Sequence, residues 1–129
     1  MKGQNNMNLQ SNKREDLEPE PKDIIMIFDS PVNFISDEGL MQTMFLANKM
    51  NNLLKKANQN IIVKSYSVNL LEKKAADAKL IYLTPICGYS QTDIELKFPQ
   101  TPVIVISKKD YGILNAEKLI AESTSLLTT

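Results

Sequence analysis

Four short apolar runs, separated by segments with helical spacing, constrain the fold of this chain more than any other feature. They predict strands near residues 24–28, 61–66, 80–84 and 103–106. Continuous runs rich in β-branched residues are typical of strands that are buried on both faces of a parallel sheet. The strand and helix patterns alternate, which predicts an α/β domain. We expect a four-stranded parallel open sheet, with right-handed crossovers and helices on both faces.

The longest helical segment follows the first apolar run. Apolar residues recur at helical spacing from Leu40 to Ala57, with polar residues between them, and predict an amphipathic helix. Ser36 is its predicted N-cap, with Asp37 and Glu38 in the first turn. The apolar stripe of this helix is predicted to pack into the core, and it includes Met44, Phe45 and Met50.

Three shorter segments complete the alternation. Residues 69–76 are good helix formers, residues 92–98 form a weakly helical piece, and residues 116–126 have the pattern of a last helix. The segment 107–111 is predicted to be a loop. Tyr82, in the third strand, is predicted to lie between the sheet and a helix.

The first 22 residues differ in composition from the rest. They are rich in Asn, Gln, Lys and Glu and contain Pro19 and Pro21. Such a segment buries too little apolar surface to offset the entropy cost of ordering it. We therefore predict a flexible tail over residues 1–22 and one folded domain over residues 23–129.

Composition excludes several classes of function. The 15 basic and 15 acidic residues balance, so nucleic-acid binding is not expected, and no apolar run is long enough for membrane insertion. The N-terminus has no apolar region of a secretory signal, and the single cysteine, Cys87, cannot form an internal disulfide. Both features favour a cytoplasmic protein. The absence of histidine excludes His-based catalysis and His-ligated metals, and we expect no cofactor or metal.

In an open parallel sheet, ligands bind beyond the carboxyl ends of the strands. Here that edge is formed by the loops 29–36, 67–69, 84–90 and 107–111. Candidate functional residues are therefore sought in these four segments.

Several short motifs give the domain a family resemblance over residues 23–126. The most specific is the segment Asp110–Lys118 after the last strand, with its Asp-Tyr-Gly start and later Asn. Supporting motifs are Ser65–Val68 followed by Leu71-Glu72, Asp77-Ala78 before the third strand, and Thr84-Pro85 after it. In order and spacing they resemble enzyme IIB of the lactose/cellobiose branch of the bacterial sugar phosphotransferase system (PTS).

This resemblance implies both a topology and an activity. The implied strand order is 2-1-3-4, with the first and third strands adjacent at the centre. The implied activity is that of a phosphocarrier, in which a cysteine takes a phosphoryl group from enzyme IIA and passes it to sugar at the membrane enzyme IIC. The family's cysteine loop, Cys-x-x-Gly-x-Ser-Thr, directly follows the first strand, and its glycine lets backbone N–H groups surround the phosphate.

The chain departs from this loop at every important position. Asp29 stands in place of the cysteine, Val32 in place of the glycine, and Phe34-Ile35 in place of the Ser-Thr pair. Pro31 removes one backbone N–H donor. The acidic residues of the first helical turn add negative charge where a phosphate would bind. The pattern indicates that the phosphate site has been lost.

Two other residues are candidate phosphoacceptors. Asp29, with Asp110 or Asp37 as a companion, has the chemistry of a carboxylate acceptor beside Mg²⁺, but the simpler interpretation is a solvated loop aspartate. Cys87 follows the third strand and should open onto the same edge, but no cation is near it in sequence, which favours an inert, semi-buried cysteine. Lys108 and Lys109 are interpreted as a solvated strand end, with an anionic ligand or acidic partner as the alternative.

The sequence therefore predicts a non-phosphorylating relative that acts by docking or regulation in phosphoenolpyruvate-dependent sugar uptake. By resemblance its partners are enzyme IIA and enzyme IIC, or a regulator. The predicted partner surface contains Ser30, Asn33, Ser36, Gly88, Tyr89 and Asp110. The alternative function is a working phosphocarrier that uses Cys87 or Asp29 as the acceptor.

Overall fold

The sheet has four parallel strands in the predicted order. The computed structural model describes residues 22–31 and 37–127. The strands are β1 (Asp23–Asp29), β2 (Ile61–Ser67), β3 (Leu80–Leu83) and β4 (Val103–Val105). Their order is β2-β1-β3-β4, so β1 pairs with β2 on one side and with β3 on the other. The predicted topology of 2-1-3-4 is confirmed.

Helices connect the successive strands, and two more follow the last strand. They are α1 (Asp37–Lys56), α2 (Leu71–Lys74), α3 (Gln91–Lys97), α4 (Lys108–Gly112) and α5 (Ala116–Leu127). Short 3-10 turns flank α2 at Val68–Leu70 and Ala75–Asp77, and a longer one, Pro85–Ser90, leads from β3 into α3. None of the described helices is long and apolar enough to cross a membrane.

The sheet separates two hydrophobic cores. Successive side chains of a strand point to opposite faces, and in β1 Ile25 and Ile27 lie on one face while Met26 and Phe28 lie on the other. The first face packs against α1 and α5, and the second packs against α2 and α3. Both faces are therefore covered, which explains why β1 is a continuous apolar run.

One helix was not predicted. The segment 107–111 was expected to be a loop, but Lys108–Gly112 forms α4. Ser107 caps it, since the Ser107 hydroxyl accepts a hydrogen bond from the Asp110 backbone N–H. The segment Ser107–Asp110 has the Ser-x-x-acid pattern that is typical of a helix start. This pattern is the one sequence signal of α4, because a five-residue helix shows no apolar periodicity.

Two of the three predicted core residues in α1 are exposed instead. Met50 is fully buried, but Met44 and Phe45 are 44% and 52% exposed, so that prediction is wrong for both. The buried stripe of α1 is centred on Thr43, Leu46, Ala47, Met50 and Leu54. The polar Thr43 occupies a core position because its hydroxyl has a buried partner, described below.

Tyr82 lies at the sheet–helix interface, as predicted. Its ring is fully buried, and its one hydroxyl proton is shared between the Leu119 carbonyl at 2.9 Å and Glu122 at 3.0 Å, both on α5. Burial and the Glu122 charge raise the pKa of Tyr82 far above its usual value.

The predictions for residues 1–21, and for Val32, Asn33, Phe34, Ile35 and Ser36, lie outside the described residues.

Candidate functional site

Asp29, the last residue of β1, is fully buried at the carboxyl edge of the sheet. One carboxylate oxygen accepts the Ser30 backbone N–H at 2.7 Å and the Thr84 hydroxyl at 2.8 Å, and the other accepts the Thr43 hydroxyl at 2.7 Å. A buried carboxylate is tolerated when such donors surround it. The expectation of a solvated loop aspartate is therefore wrong.

A directed chain of hydrogen bonds reaches Asp29 from α4. The Tyr111 hydroxyl lies 2.6 Å from the Thr43 hydroxyl oxygen. A threonine hydroxyl has a single proton, and that of Thr43 is given to Asp29, so Tyr111 donates to Thr43. Burial raises the pKa of Tyr111, and the negative charge of Asp29 raises it further. Tyr111 thus stays protonated and able to donate.

Cys87 lies beside this network in the 3-10 turn after β3. It is fully buried, its backbone N–H donates to the Thr84 carbonyl at 2.9 Å, and its side chain hydrogen-bonds with Thr84. Burial raises the pKa of the thiol, the bond to Thr84 opposes this, and the charge of Asp29 adds to it. A thiol with a raised pKa has little thiolate at neutral pH and is a poor nucleophile.

An open pocket of about 480 Å³ lies next to the buried network. Its lining residues are Thr84, Pro85, Ile86, Lys108 and Tyr111, and we call it the Lys108 pocket. Thr84 and Tyr111 belong both to the pocket and to the network around Asp29. Lys108 is the one charged residue among the described residues that line the pocket.

The side chain of Asp110 connects two parts of the fold. It is buried, with one carboxylate oxygen accepting from the Asn115 amide at 3.1 Å and the other paired with Lys118 at 2.8 Å. Lys118 and Asn115 hold the pKa of Asp110 below its usual range. Asp110 therefore links α4 to the start of α5, and its carboxylate is occupied.

The other predicted surface residues differ in exposure. Tyr89 is 79% exposed, Gly88 is half-buried with its Cα facing Val105, and Ser30 is half-buried beside Asp29. Ile86, on the same 3-10 turn, is 56% exposed. Exposed apolar side chains thus lie next to the buried network.

The structure brings Asp29 and Cys87 together through Thr84, but neither candidate acceptor has an exposed side chain. Asp110 is bound by Asn115 and Lys118, whereas Asp29 is bound by Ser30, Thr43 and Thr84. No group of three His, Cys, Asp or Glu in the described part of the chain is arranged to hold a metal ion.

Sequence reasoning missed Thr43 and Tyr111 as site residues, and it used Thr84 for the resemblance alone. Thr43 did leave a signal, because it is a polar residue in the middle of an apolar helical stripe. A polar residue at such a position requires a buried partner. Tyr111 was likewise used for the resemblance alone, in the Asp-Tyr-Gly motif, although it lies in one of the four segments predicted to form the carboxyl edge.

The fold and the edge that carries these residues define a class of protein, namely an open parallel α/β domain with polar side chains at the carboxyl edge of its sheet. The family model for the PTS system lactose/cellobiose-specific IIB subunit matches residues 34–122. This chain belongs to that family. The matched segment contains Thr43, Thr84, Cys87 and Tyr111, whereas Asp29 precedes it.

Solved structures share the fold at low sequence identity. The lactose-specific IIB domain from Streptococcus pneumoniae superimposes with a TM-score of 0.66 at 12% identity, covering 81% of this chain and 96% of that chain. The cellobiose-specific IIB protein from Borrelia burgdorferi gives a TM-score of 0.58 at 19% identity, covering 80% and 89%. Among curated protein sequences, none matches this chain.

Proposed function

We propose that this protein is a non-phosphorylating member of the IIB family, which acts by docking or regulation in phosphoenolpyruvate-dependent sugar uptake in the cytoplasm. The burial of Asp29 is the observation that carries this proposal. By resemblance Asp29 stands where the family has its acceptor cysteine, and its side chain is fully buried with both oxygens hydrogen-bonded. Phosphoryl transfer requires the acceptor atom to meet the donor in line.

Cys87 is no better placed as a substitute acceptor. Its side chain is fully buried, and its pKa is raised by that burial. A phosphorylated partner would have to displace the covering residues and also generate a thiolate beside the negative charge of Asp29. These two costs oppose the displaced-carrier alternative, in which Cys87 or Asp29 accepts the phosphoryl group.

The same edge of the sheet offers apolar contact area. Tyr89 and Ile86 are strongly exposed on the 3-10 turn that follows β3. Exposed aromatic and aliphatic residues next to polar groups are typical of protein interfaces. IIB domains in general work with enzymes IIA and IIC, which makes these proteins, or a regulator, the proposed partners.

A phosphotransfer assay tests whether the protein accepts a phosphoryl group. The full chain is incubated with phosphoenolpyruvate, the general phosphotransfer proteins and a panel of enzymes IIA, and its intact mass is measured. A cysteine-bearing IIB domain serves as the positive control. We expect the control to gain a phosphoryl group and this protein to gain none. An adduct lost in Cys87→Ser, or an alkali-labile adduct lost in Asp29→Asn, would instead establish a carrier.

A binding assay tests the docking surface. Tyr89→Asp replaces an exposed apolar residue at the proposed interface, and Leu96→Asp replaces one of nearly equal exposure near the end of α3. Binding to immobilised enzyme IIA, or to membranes that contain enzyme IIC, should weaken at least about tenfold in Tyr89→Asp. It should stay nearly unchanged in Leu96→Asp. Equal effects of the two variants would exclude this surface.

A further inference from the structure

We propose that the Lys108 pocket binds a small amphipathic monoanion, which has an apolar or aromatic body and one carboxylate. This inference concerns a ligand and does not depend on whether the protein docks to a partner or carries a phosphoryl group. It rests on the shape of the pocket, on the one cation among its described lining residues and on the orientation of two hydroxyl groups in its lining.

The size and lining of the pocket set the body of the ligand. Its volume of about 480 Å³ lies within the range of small-molecule sites, roughly 300–1,000 Å³. Pro85, the exposed Ile86 and the Tyr111 ring supply apolar surface. Burying an apolar ring against these groups removes water from both partners, which is the main driving force in sites of this kind.

The charge of the ligand is set by Lys108. This residue is exposed, and within the described part of the chain its ammonium group makes no ion pair or hydrogen bond. By contrast, Lys118 is paired with Asp110 and Lys97 with Glu72. Lys108 is therefore a cation at the wall of an apolar pocket with its charge available to a ligand.

The hydroxyl groups of Thr84 and Tyr111, which also line the pocket, do not donate hydrogen bonds to an anionic ligand. Thr84 donates its proton to Asp29, and Tyr111 donates its proton to Thr43. Neither hydroxyl has a second proton to offer to an anion. Among the described side chains that line the pocket, Lys108 is then the one left to bind an anion, so removing its charge should measurably weaken an anionic ligand.

Asp29 favours a monoanion over a dianion. Its buried charge lies directly behind Thr84 and close to Tyr111, so it repels any anion in the pocket. The repulsion doubles for a doubly charged group, whereas a single lysine can neutralise one charge. The charge of Asp29 attracts a cation by the same amount, but it acts from behind Thr84 and Tyr111, whereas Lys108 lines the pocket itself and repels a cation directly.

Titrations of the ¹⁵N-labelled full chain with phenylacetate test the proposal. Three analogues of similar size vary the charge: phenylacetamide is neutral, phenethylamine is cationic and phenyl phosphate is largely a dianion. Acetate tests the carboxylate without an apolar body. We expect phenylacetate to shift the amide signals of Ile86, Lys108 and Tyr111 saturably, and to bind more tightly than all four other probes. Added salt should weaken phenylacetate but not phenylacetamide.

Two neighbouring lysines provide the matched variants. Lys108→Gln should weaken phenylacetate binding about threefold and leave phenylacetamide binding unchanged. Lys109→Gln, which removes an exposed charge that does not line the pocket, should have almost no effect. The proposal is overturned if the two variants behave alike, if phenethylamine or phenylacetamide binds as tightly as phenylacetate, or if the shifts do not saturate or lie elsewhere.

Discussion

Asp29 is a fully buried carboxylate whose donors come from three different parts of the chain: the next residue, α1 and the end of β3. Removing it would leave the hydroxyls of Thr43 and Thr84 and the Ser30 N–H without this acceptor. Buried donors without partners cost about 1–3 kcal/mol each. We therefore expect Asp29→Ala to lower the free energy of unfolding by about 3 kcal/mol, measured by urea denaturation.

A matched control for this prediction is Asp77→Ala, which removes an exposed aspartate. Exposed substitutions of this kind usually change stability by about 0.5 kcal/mol or less. If Asp29→Ala were as stable as Asp77→Ala, the carboxylate would not be buried in solution. The argument against Asp29 as a phosphoacceptor would then fail as well.

Cys87 should react slowly with thiol reagents. Burial blocks access, and the raised pKa lowers the thiolate fraction at any given pH below that of an ordinary cysteine. We expect iodoacetamide to label the native protein at least about tenfold more slowly than the protein unfolded in urea. The labelling rate of the native protein should still be rising with pH where that of a free thiol levels off. Rapid labelling of the native protein would indicate an exposed, reactive thiolate.

Asp110 should make the stability of the fold depend on pH in the acidic range. Its pKa is lower in the folded state than in the unfolded state, because Lys118 and Asn115 stabilise the charged form. Its contribution to stability is thus complete above the unfolded pKa and is lost as the pH falls through the folded pKa. The melting temperature should fall between about pH 5 and pH 3, and it should fall less steeply in Asp110→Asn. Asp77→Asn serves as the control, and identical profiles for the two variants would contradict the assignment.

Among the elements, β2 is an edge strand that is covered by a side chain of α1. Asn51 donates to the Val63 carbonyl at 2.9 Å and accepts from the Val63 N–H at 2.7 Å. Both backbone groups would otherwise face the open edge of the sheet. We expect Asn51→Ala to destabilise the fold by about 1–2 kcal/mol. Asn52→Ala, at the exposed neighbouring position, should change stability by less than about 0.5 kcal/mol, and equal losses would contradict this role.

Some elements could be predicted from the sequence and others could not, and the difference depends on how each element is stabilised. The run in β1 is apolar throughout because both faces of the strand are buried, so its composition reports its position directly. By contrast, α4 is five residues long and is stabilised by the Ser107 cap and by tertiary bonds of Asp110 and Tyr111. A helix of this kind has no periodicity, and it was predicted to be a loop. Residues 69–76 were predicted as one helix and form short α and 3-10 turns.

The site was harder to predict than the fold because its contacts are distant in sequence. Thr43 lies 14 residues from Asp29, Thr84 lies 55 residues from it, and Tyr111 lies 68 residues from Thr43. The strand order does place the ends of β1 and β3 side by side, which allowed Asp29 and Cys87 to be predicted as neighbours. It does not specify which side chains are buried there, so the sequence indicated a solvated Asp29.

At the scale of the whole molecule, the sheet is held by two cores while its carboxyl edge carries polar groups. The cores on the two faces involve α1 and α5 on one side and α2 and α3 on the other. Asp29, Thr84 and Tyr111 come from three segments that end or begin at that edge. Because the cores fix these segments independently, the edge can change its chemistry without a change of fold. This separation would allow the residue at the end of β1 to change without loss of the IIB fold.

The predicted N-terminal tail gives the last test at this scale. Lys22, at the start of the described residues, is exposed, and the described residues that form the two cores all follow it. Deleting residues 1–22 should therefore change the free energy of unfolding by less than about 1 kcal/mol, measured by thermal and urea denaturation. Deleting residues 1–26 also removes Ile25 and Met26 from the two cores and should prevent folding. A loss above about 1 kcal/mol for the shorter deletion would mean that the segment packs against the domain, and the boundary at residue 23 would be wrong.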